Sequence, residues 1–159
     1  MIEYEYSFKV TDIKPFINFC ELKNYQKEKK IKQVRVLYKN GNGILARITT
    51  NEIDNQVSEY LNFKEENESE KVLKESKETS ALEINDQNKK FIESMLDILN
   101  FRKSKELKRI RYIYKNDKIK FEIDDYIQPK MQVVAIEGEK DKVDKVYKEL
   151  EVLYKEYKI

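Results

Sequence analysis

Met1-Ile2-Glu3-Tyr4-Glu5-Tyr6-Ser7-Phe8-Lys9-Val10 alternates strictly. In an extended chain successive side chains point to opposite faces. Tyr4, Tyr6, Phe8 and Val10 therefore share one side, and Glu3, Glu5, Ser7 and Lys9 the other. Such a split ordinarily marks a strand with one face on a core and one in water. Here the split returns in strand after strand, with cations opposite these anions. That recurrence predicts a sheet curled round a polar interior, with Glu3 and Glu5 as metal ligands near its mouth.

The downstream strands follow the same rule. Gln33 to Tyr38 is β-branched, and Asn40-Gly41-Asn42-Gly43 is a strong hairpin turn. Ile44 to Thr50 puts Leu45, Arg47 and Thr49 on one face, and Glu59 to Lys64 sets Tyr60, Asn62 and Lys64 against Leu61 and Phe63. Leu107 to Lys115 puts Arg109, Arg111 and Ile113 together. After a turn at Asn116-Asp117, Lys118, Lys120, Glu122 and Asp124 alternate with Ile119, Phe121 and Ile123. Met131, Val133, Ala135 and Glu137 alternate with Gln132, Val134 and Ile136, and Gly138 ends the run.

Three stretches carry helical spacing instead. Thr11-Asp12 precedes one that runs to about Leu22, with Pro15 near its first turn. Asn85-Asp86 precedes Phe91, Ile92, Met95, Leu96 and Leu99, and Val143 to Tyr154 forms a C-terminal stripe. The charged run Lys27-Glu28-Lys29-Lys30 reads as a solvated loop or helix end. Glu65 to Ser76, rich in Glu, Lys and Ser, reads as a long mobile hairpin tip, with strand character resuming at about Lys77 to Ile84. The order strand, helix, strands occurs twice, which predicts an α+β domain over residues 1–159 built from two similar halves.

Composition narrows the chemistry. Charged residues make up 39% of the chain and apolar ones 40%, more charge than a compact domain needs for solubility, so part of it is free to line a cavity. The net charge is only +2, so a basic site must come from local segregation. Histidine is absent, which removes Ser-His-Asp and Cys-His nucleophiles and His-containing zinc sites. The single cysteine, Cys20, sits at an apolar helical position and reads as a core residue. A strand at the amino terminus and the lack of long apolar runs predict a cytoplasmic protein with no signal peptide or membrane span.

The polar strand faces collect Glu3, Glu5, Arg47, Lys64, Arg109, Arg111, Lys120, Glu122, Asp124 and Glu137. A solvated antiparallel face accounts for any one strand, yet across the set the charges segregate. Carboxylates lie at the first and last strands and cations between, and a closed barrel would bring these walls face to face. Arg and Lys on a concave wall bind phosphates, and carboxylates are hard ligands suited to Mg²⁺ or Mn²⁺. A polyphosphate chelated to a divalent metal satisfies both walls.

Several of these strands are similar to those of the CYTH superfamily, the triphosphate tunnel metalloenzymes that include class IV adenylate cyclases and thiamine triphosphatases. Glu3-Tyr4-Glu5-Tyr6-Ser7 resembles the opening ExExK strand, Arg47-Ile48-Thr49 the RxR strand, and Tyr60-Leu61-Asn62-Phe63-Lys64 the strand ending in lysine. Lys77 falls where the next basic position is expected. Lys108-Arg109-Ile110-Arg111 resembles the KxR strand, Ile123-Asp124-Asp125 the lDe strand, and Ala135-Ile136-Glu137-Gly138 the closing EIE-G. The resemblance implies an eight-stranded antiparallel β-barrel tunnel flanked by helices. It implies Glu3, Glu5, Asp124 and Glu137 as ligands of Mg²⁺ or Mn²⁺, with Glu3, Glu5 and Glu137 catalytic. Arg47, Lys64, Lys77, Arg109 and Arg111 would hold the phosphates, joined by Lys120 on the same face. Three positions depart from the pattern: Ser7 stands for the lysine of ExExK, Thr49 for the second arginine of RxR, and Ala135 for the first glutamate of EIE.

The leading function is metal-dependent hydrolysis of a substrate containing a triphosphate: inorganic tripolyphosphate, a nucleoside triphosphate or thiamine triphosphate. A class IV-type adenylate cyclase would use the same cage with the ribose 3′-hydroxyl as nucleophile. A catalytically degenerate tunnel that binds nucleotide or polyphosphate without turnover is the alternative that Ser7, Thr49 and Ala135 favour. Cations aimed into a lumen rather than an open groove, without an RNA-binding signature, disfavour nucleic acid. A monomer or homodimer is expected.

Overall fold

A computed structural model describes residues 2–66 and 73–159; of residues 2, 3 and 73–75 it describes the backbone. The strands are β1 (Ile2–Val10), β2 (Gln26–Lys39), β3 (Ile44–Ile53), β4 (Gln56–Glu65), β5 (Leu73–Lys77), β6 (Leu82–Glu83), β7 (Arg102–Lys115), β8 (Ile119–Gln128) and β9 (Met131–Gly138). The helices are α1 (Lys14–Leu22), α2 (Lys89–Ile98), α3 (Lys140–Glu149) and α4 (Glu151–Tyr157). The strands form an antiparallel sheet in the order β5-β1-β9-β8-β7-β2-β3-β4-β6. Eight of them are five residues or longer, and β6 adds a two-residue edge.

The sheet curls until its two ends meet without a continuous ladder. Lys64 on β4 bridges Glu78 just past β5, and the Thr79 amide donates to the Phe63 carbonyl at 2.9 Å. The Phe63 amide in turn donates to the Thr79 hydroxyl at 3.0 Å. This is the curled sheet that the alternation predicts, in an α+β architecture consistent with the tunnel barrel that the resemblance implies, though not closed: among the described residues one isolated bridge spans the seam.

The apolar faces point outward, towards the helices. Phe8 and Val10 of β1, Tyr114 of β7, Phe121 and Ile123 of β8, and Val134 and Ile136 of β9 pack with Phe16 and Cys20 of α1 and Val143 and Val146 of α3. A smaller cluster joins Ala46 of β3 and Leu61 of β4 to Ile92 and Leu96 of α2 and to Phe101. Burying these faces outside leaves the alternate, charged faces to line the inside. Tyr6 links wall to helix: its hydroxyl donates to Asp144 at 2.7 Å, and its ring lies 3.9 Å from that of Tyr147.

Three local expectations are corrected. The run Lys27-Glu28-Lys29-Lys30 is not a loop or helix end but part of β2, paired with β7 across a register shift between Lys27 and Lys29. Its side chains are exposed, so hydrophobic periodicity fails there although the backbone pairing continues. The C-terminal stripe is two helices that meet at Leu150, not one. The segment from Glu65 to Ser76 is bounded by strands: β4 runs through Glu65 and β5 begins at Leu73, while residues 67–72 lie outside the described residues.

Gly138 ends β9 for a steric reason. Its φ is +155°, and a Cβ there would stand 2.5 Å from the Lys118 carbonyl oxygen. It pairs with Tyr4 on one side and Ile119 on the other, one residue after Glu137.

Candidate functional site

Inside the barrel is a cavity of about 290 Å³. Glu5 and Ser7 reach it from β1, Arg35 from β2, Arg47 from β3 and Lys64 from β4. Arg109 and Arg111 come from β7, and Lys120, Glu122, Asp124 and Tyr126 from β8. Val133, Ala135 and Glu137 enter from β9, and Glu78 from the seam. Among the described residues the lining carries six cationic and five anionic side chains, which nearly neutralise one another.

Strand register stacks these residues in layers. Glu5 faces Glu137, which faces Lys120. One step inward, Ser7 faces Ala135, which faces Glu122. Val133, Asp124 and Arg111 come next, and beyond them Tyr126, Arg109 and Gln33.

Arg111 is the most committed side chain. Its Nε and Nη2 donate to the two oxygens of Asp124 at 2.7 and 2.9 Å, and its Nη1 donates to Glu122 at 2.6 Å. Burial disfavours its charge, but Glu122 and Asp124 outweigh burial and raise its pKa above the ordinary value. Burial likewise works against the Glu122 carboxylate, yet Arg111 beside it holds the group well below the usual range. Lys120 Nζ stands 3.6 Å from Glu122 and 3.9 Å from Glu137.

Arg109 is placed differently. Its Nε donates to Gln33 at 2.7 Å, its Nη1 donates to the Tyr126 hydroxyl, and Asp124 is 3.7 Å away. Its Nη2 is buried without a hydrogen-bond partner among the described residues. Burial first and Arg111 second lower its pKa. Arg35 is lowered well below its ordinary value by burial and by Arg109, Arg111 and Arg47. Arg47 donates from Nε to Asn62 at 3.0 Å and is paired with Glu78, which also lies 3.8 Å from Lys64.

Of the residues expected from sequence, Glu5, Arg47, Lys64, Arg109, Arg111, Lys120, Asp124 and Glu137 converge on the cavity. The Glu3 side chain lies outside the described residues. Lys77 does not join the cavity; it is exposed and lines a shallow surface depression with Ile44, Phe63 and Thr79. The bidentate Arg111 pair engages both oxygens of Asp124. Instead Glu122 approaches Glu5 and Glu137, with carboxylate oxygens within 4.8 Å of one another. That donor set, hard oxygens from separate strands of a charged cavity, has the chemistry to hold a hard divalent cation.

Sequence reading did not single out Arg35 and Glu78, which line the cavity, or the approach of Glu122 to Glu5 and Glu137. Arg35 sits among Val34, Val36 and Leu37, and its only trace in the sequence is one charge in a β-branched run. Glu78 comes after β5 at an isolated bridge, where no periodicity operates.

No protein-family model matches the chain, and no curated protein matches it by sequence. Solved structures do match. PH1012 protein from Pyrococcus horikoshii superposes with a TM-score of 0.71 at 20% identity over 96% of this chain and 88% of that one. HpAC1 from Hippeastrum, an adenylyl cyclase by name whose structure is described as revealing a dominant triphosphatase activity, matches at 0.66 and 16% identity over 98% and 90%. A chain of the Schizosaccharomyces pombe Mediator head module matches at 0.65 and 12% identity over 100% and 97%. Among chains so different in sequence the architecture is what is shared, and this protein has the CYTH-like tunnel fold.

Proposed function

We propose that this protein is a cytoplasmic, divalent-metal-dependent hydrolase of a substrate containing a triphosphate. The observation that carries the reading is the segregation inside one cavity of a three-carboxylate group, Glu5, Glu122 and Glu137, from the guanidinium groups of Arg35, Arg47 and Arg109. A nearly self-neutral cavity accepts a metal-chelated polyphosphate more readily than a bare polyanion, because the chelate brings cations for the carboxylates and oxygens for the guanidinium groups.

In this reading Glu5 and Glu137 hold Mg²⁺ or Mn²⁺. The bound ion supplies Lewis-acid neutralisation of phosphoryl charge. Arg47, Lys64 and Arg109 fix the phosphate chain and stabilise charge that grows on it in the transition state. Arg111 acts one step back, pinning Asp124 and Glu122. A water oxygen attacks a terminal phosphorus, the bridging P–O bond breaks, and the electron pair leaves with the shortened phosphate. A lining carboxylate orients that water and takes its proton.

Two alternatives have specific support. Among the structural matches, HpAC1 pairs an adenylyl cyclase name with a described triphosphatase activity, which keeps cyclisation of ATP as a second outcome of the same cage. Ser7, Thr49 and Ala135 put short uncharged side chains in and beside the lumen and support a triphosphate-binding module without turnover.

Thermal stabilisation tests the ligand assignment. Tripolyphosphate with Mn²⁺ is expected to raise the melting temperature of wild type and to lose that effect in Glu5→Gln/Glu137→Gln. Equal stabilisation of the double variant sinks the metal assignment.

A further inference from the structure

Two lumen residues without an assigned role face, across a strand pair, positions that carry no charge. A role for them rests on the metal-triphosphate function proposed for the cavity. Arg35 on β2 is the register partner of Thr49 on β3, and its Nε donates to the Thr49 hydroxyl at 3.0 Å. Glu122 on β8 is the partner of Ala135 on β9, which faces Ser7 on β1. Directly opposed residues have Cβ atoms about 5 Å apart. A long side chain on one strand therefore delivers its head group over its short neighbour on the next. Ala135 leaves that space open, and Thr49 both leaves it open and anchors the guanidinium.

The two head groups stand in different surroundings. Among the described residues Arg35 makes no ion pair, and the charges acting on it are Arg109, Arg111 and Arg47 against Glu122. Arg109, only 4% exposed, lines the same cavity, and among the described residues its buried Nη2 has no hydrogen-bond partner. A guanidinium with no ion pair, beside one with an unpartnered nitrogen, suits an anion with several oxygens. On the other wall, Glu5, Glu122 and Glu137 bring carboxylate oxygens within 4.8 Å of one another, a like-charge approach that Arg111 and Lys120 offset at rest and that a divalent cation would hold directly. The Lys120 ammonium stands beside two of them, at 3.6 and 3.9 Å, with its side chain 38% exposed and so able to swing aside.

We infer that Arg35 and Glu122 are ligand-binding residues in their own right. Arg35 takes a phosphoryl oxygen beside Arg109, and Glu122 completes with Glu5 and Glu137 a three-carboxylate seat for a divalent cation. Each reaches in from the strand next to the one that bears Thr49 or Ala135.

Calorimetry with Mn²⁺ alone and with tripolyphosphate alone tests this without reference to turnover. Glu122→Gln is expected to weaken Mn²⁺ binding by about tenfold or more. Glu122→Gln/Ala135→Glu, which moves the carboxylate across the strand pair, is expected to recover affinity to within about threefold of wild type. Arg35→Gln is expected to weaken tripolyphosphate by about tenfold and Mn²⁺ by much less. Wild-type affinity for Mn²⁺ in Glu122→Gln, or for tripolyphosphate in Arg35→Gln, overturns the inference and leaves the functional reading standing. A wild-type protein that binds neither probe overturns both. If Glu122→Gln fails to fold, the side-chain carboxyl ¹³C resonances of glutamate-labelled wild type decide instead. Added Mg²⁺ shifts Glu122 together with Glu5 and Glu137 if it is a ligand, and an unmoved Glu122 resonance overturns the assignment.

Discussion

Arg109 and Arg111 stand two residues apart on β7 and face the same lumen, yet their neighbours set them different tasks. Three nitrogens of Arg111 already donate to Asp124 and Glu122. Removing its guanidinium strands two buried carboxylates, so Arg111→Ala is expected to cost about 3–5 kcal/mol in urea unfolding. Arg109 gives its hydrogen bonds to neutral partners, and among the described residues its Nη2 has none. Arg109→Gln is therefore expected to stay folded, with circular dichroism like that of wild type, while losing tripolyphosphate affinity by calorimetry. The reverse pattern, a stable Arg111→Ala and an unfolded Arg109→Gln, would exchange the two roles. Cys20 is the residue-scale counterexample to reactivity: it is fully buried, and burial followed by Glu21 pushes its thiol up to about 12. It should resist thiol reagents in the native protein and react on denaturation; fast native labelling would contradict its place in the core.

At the scale of elements, the strands were legible wherever lumen and helix-facing sides differ in polarity, as in β1, β8 and β9. There alternation alone puts Glu5, Glu122 and Glu137 on one face and Phe8, Phe121 and Ile136 on the other. Alternation was silent at Lys27 to Lys30, where β2 extends with its side chains exposed. It also could not say which charges would be used up by one another. Asp124, expected as a metal ligand, is paired across β7 and β8 with Arg111, and the carboxylate that approaches Glu5 and Glu137 is the one two residues before it on the same face, Glu122. Cross-strand register, which no single strand encodes, makes that choice. The end of β9 is an element that geometry fixes tightly. Gly138→Ala would drive a Cβ against the Lys118 carbonyl, and about 1–3 kcal/mol of destabilisation is expected in thermal unfolding. A neutral outcome would mean that the β8–β9 edge yields more easily than its packing implies.

For the whole molecule, the design is a sheet with its sides reversed from the usual sandwich: apolar faces outward under α1, α2 and α3, charged faces inward round a cavity of about 290 Å³. Among the described residues no helix is long and apolar enough to cross a membrane. Holding eleven charged side chains inside a barrel is costly unless they pair or take a ligand; among the described residues most pair, while Arg35 has no ion pair and Arg109 Nη2 no hydrogen-bond partner. The fold therefore does not by itself imply turnover, since the same architecture is also found in a chain of the Mediator head module. Phosphate release from tripolyphosphate and from ATP, with Mg²⁺ or Mn²⁺ and with chelator, in wild type and Glu5→Gln/Glu137→Gln, separates the possibilities. Metal-dependent release by wild type that vanishes in the double variant is the expected result. Release that persists in the double variant or in chelator, or no release by wild type with ligand still bound, would contradict a metal-dependent hydrolase.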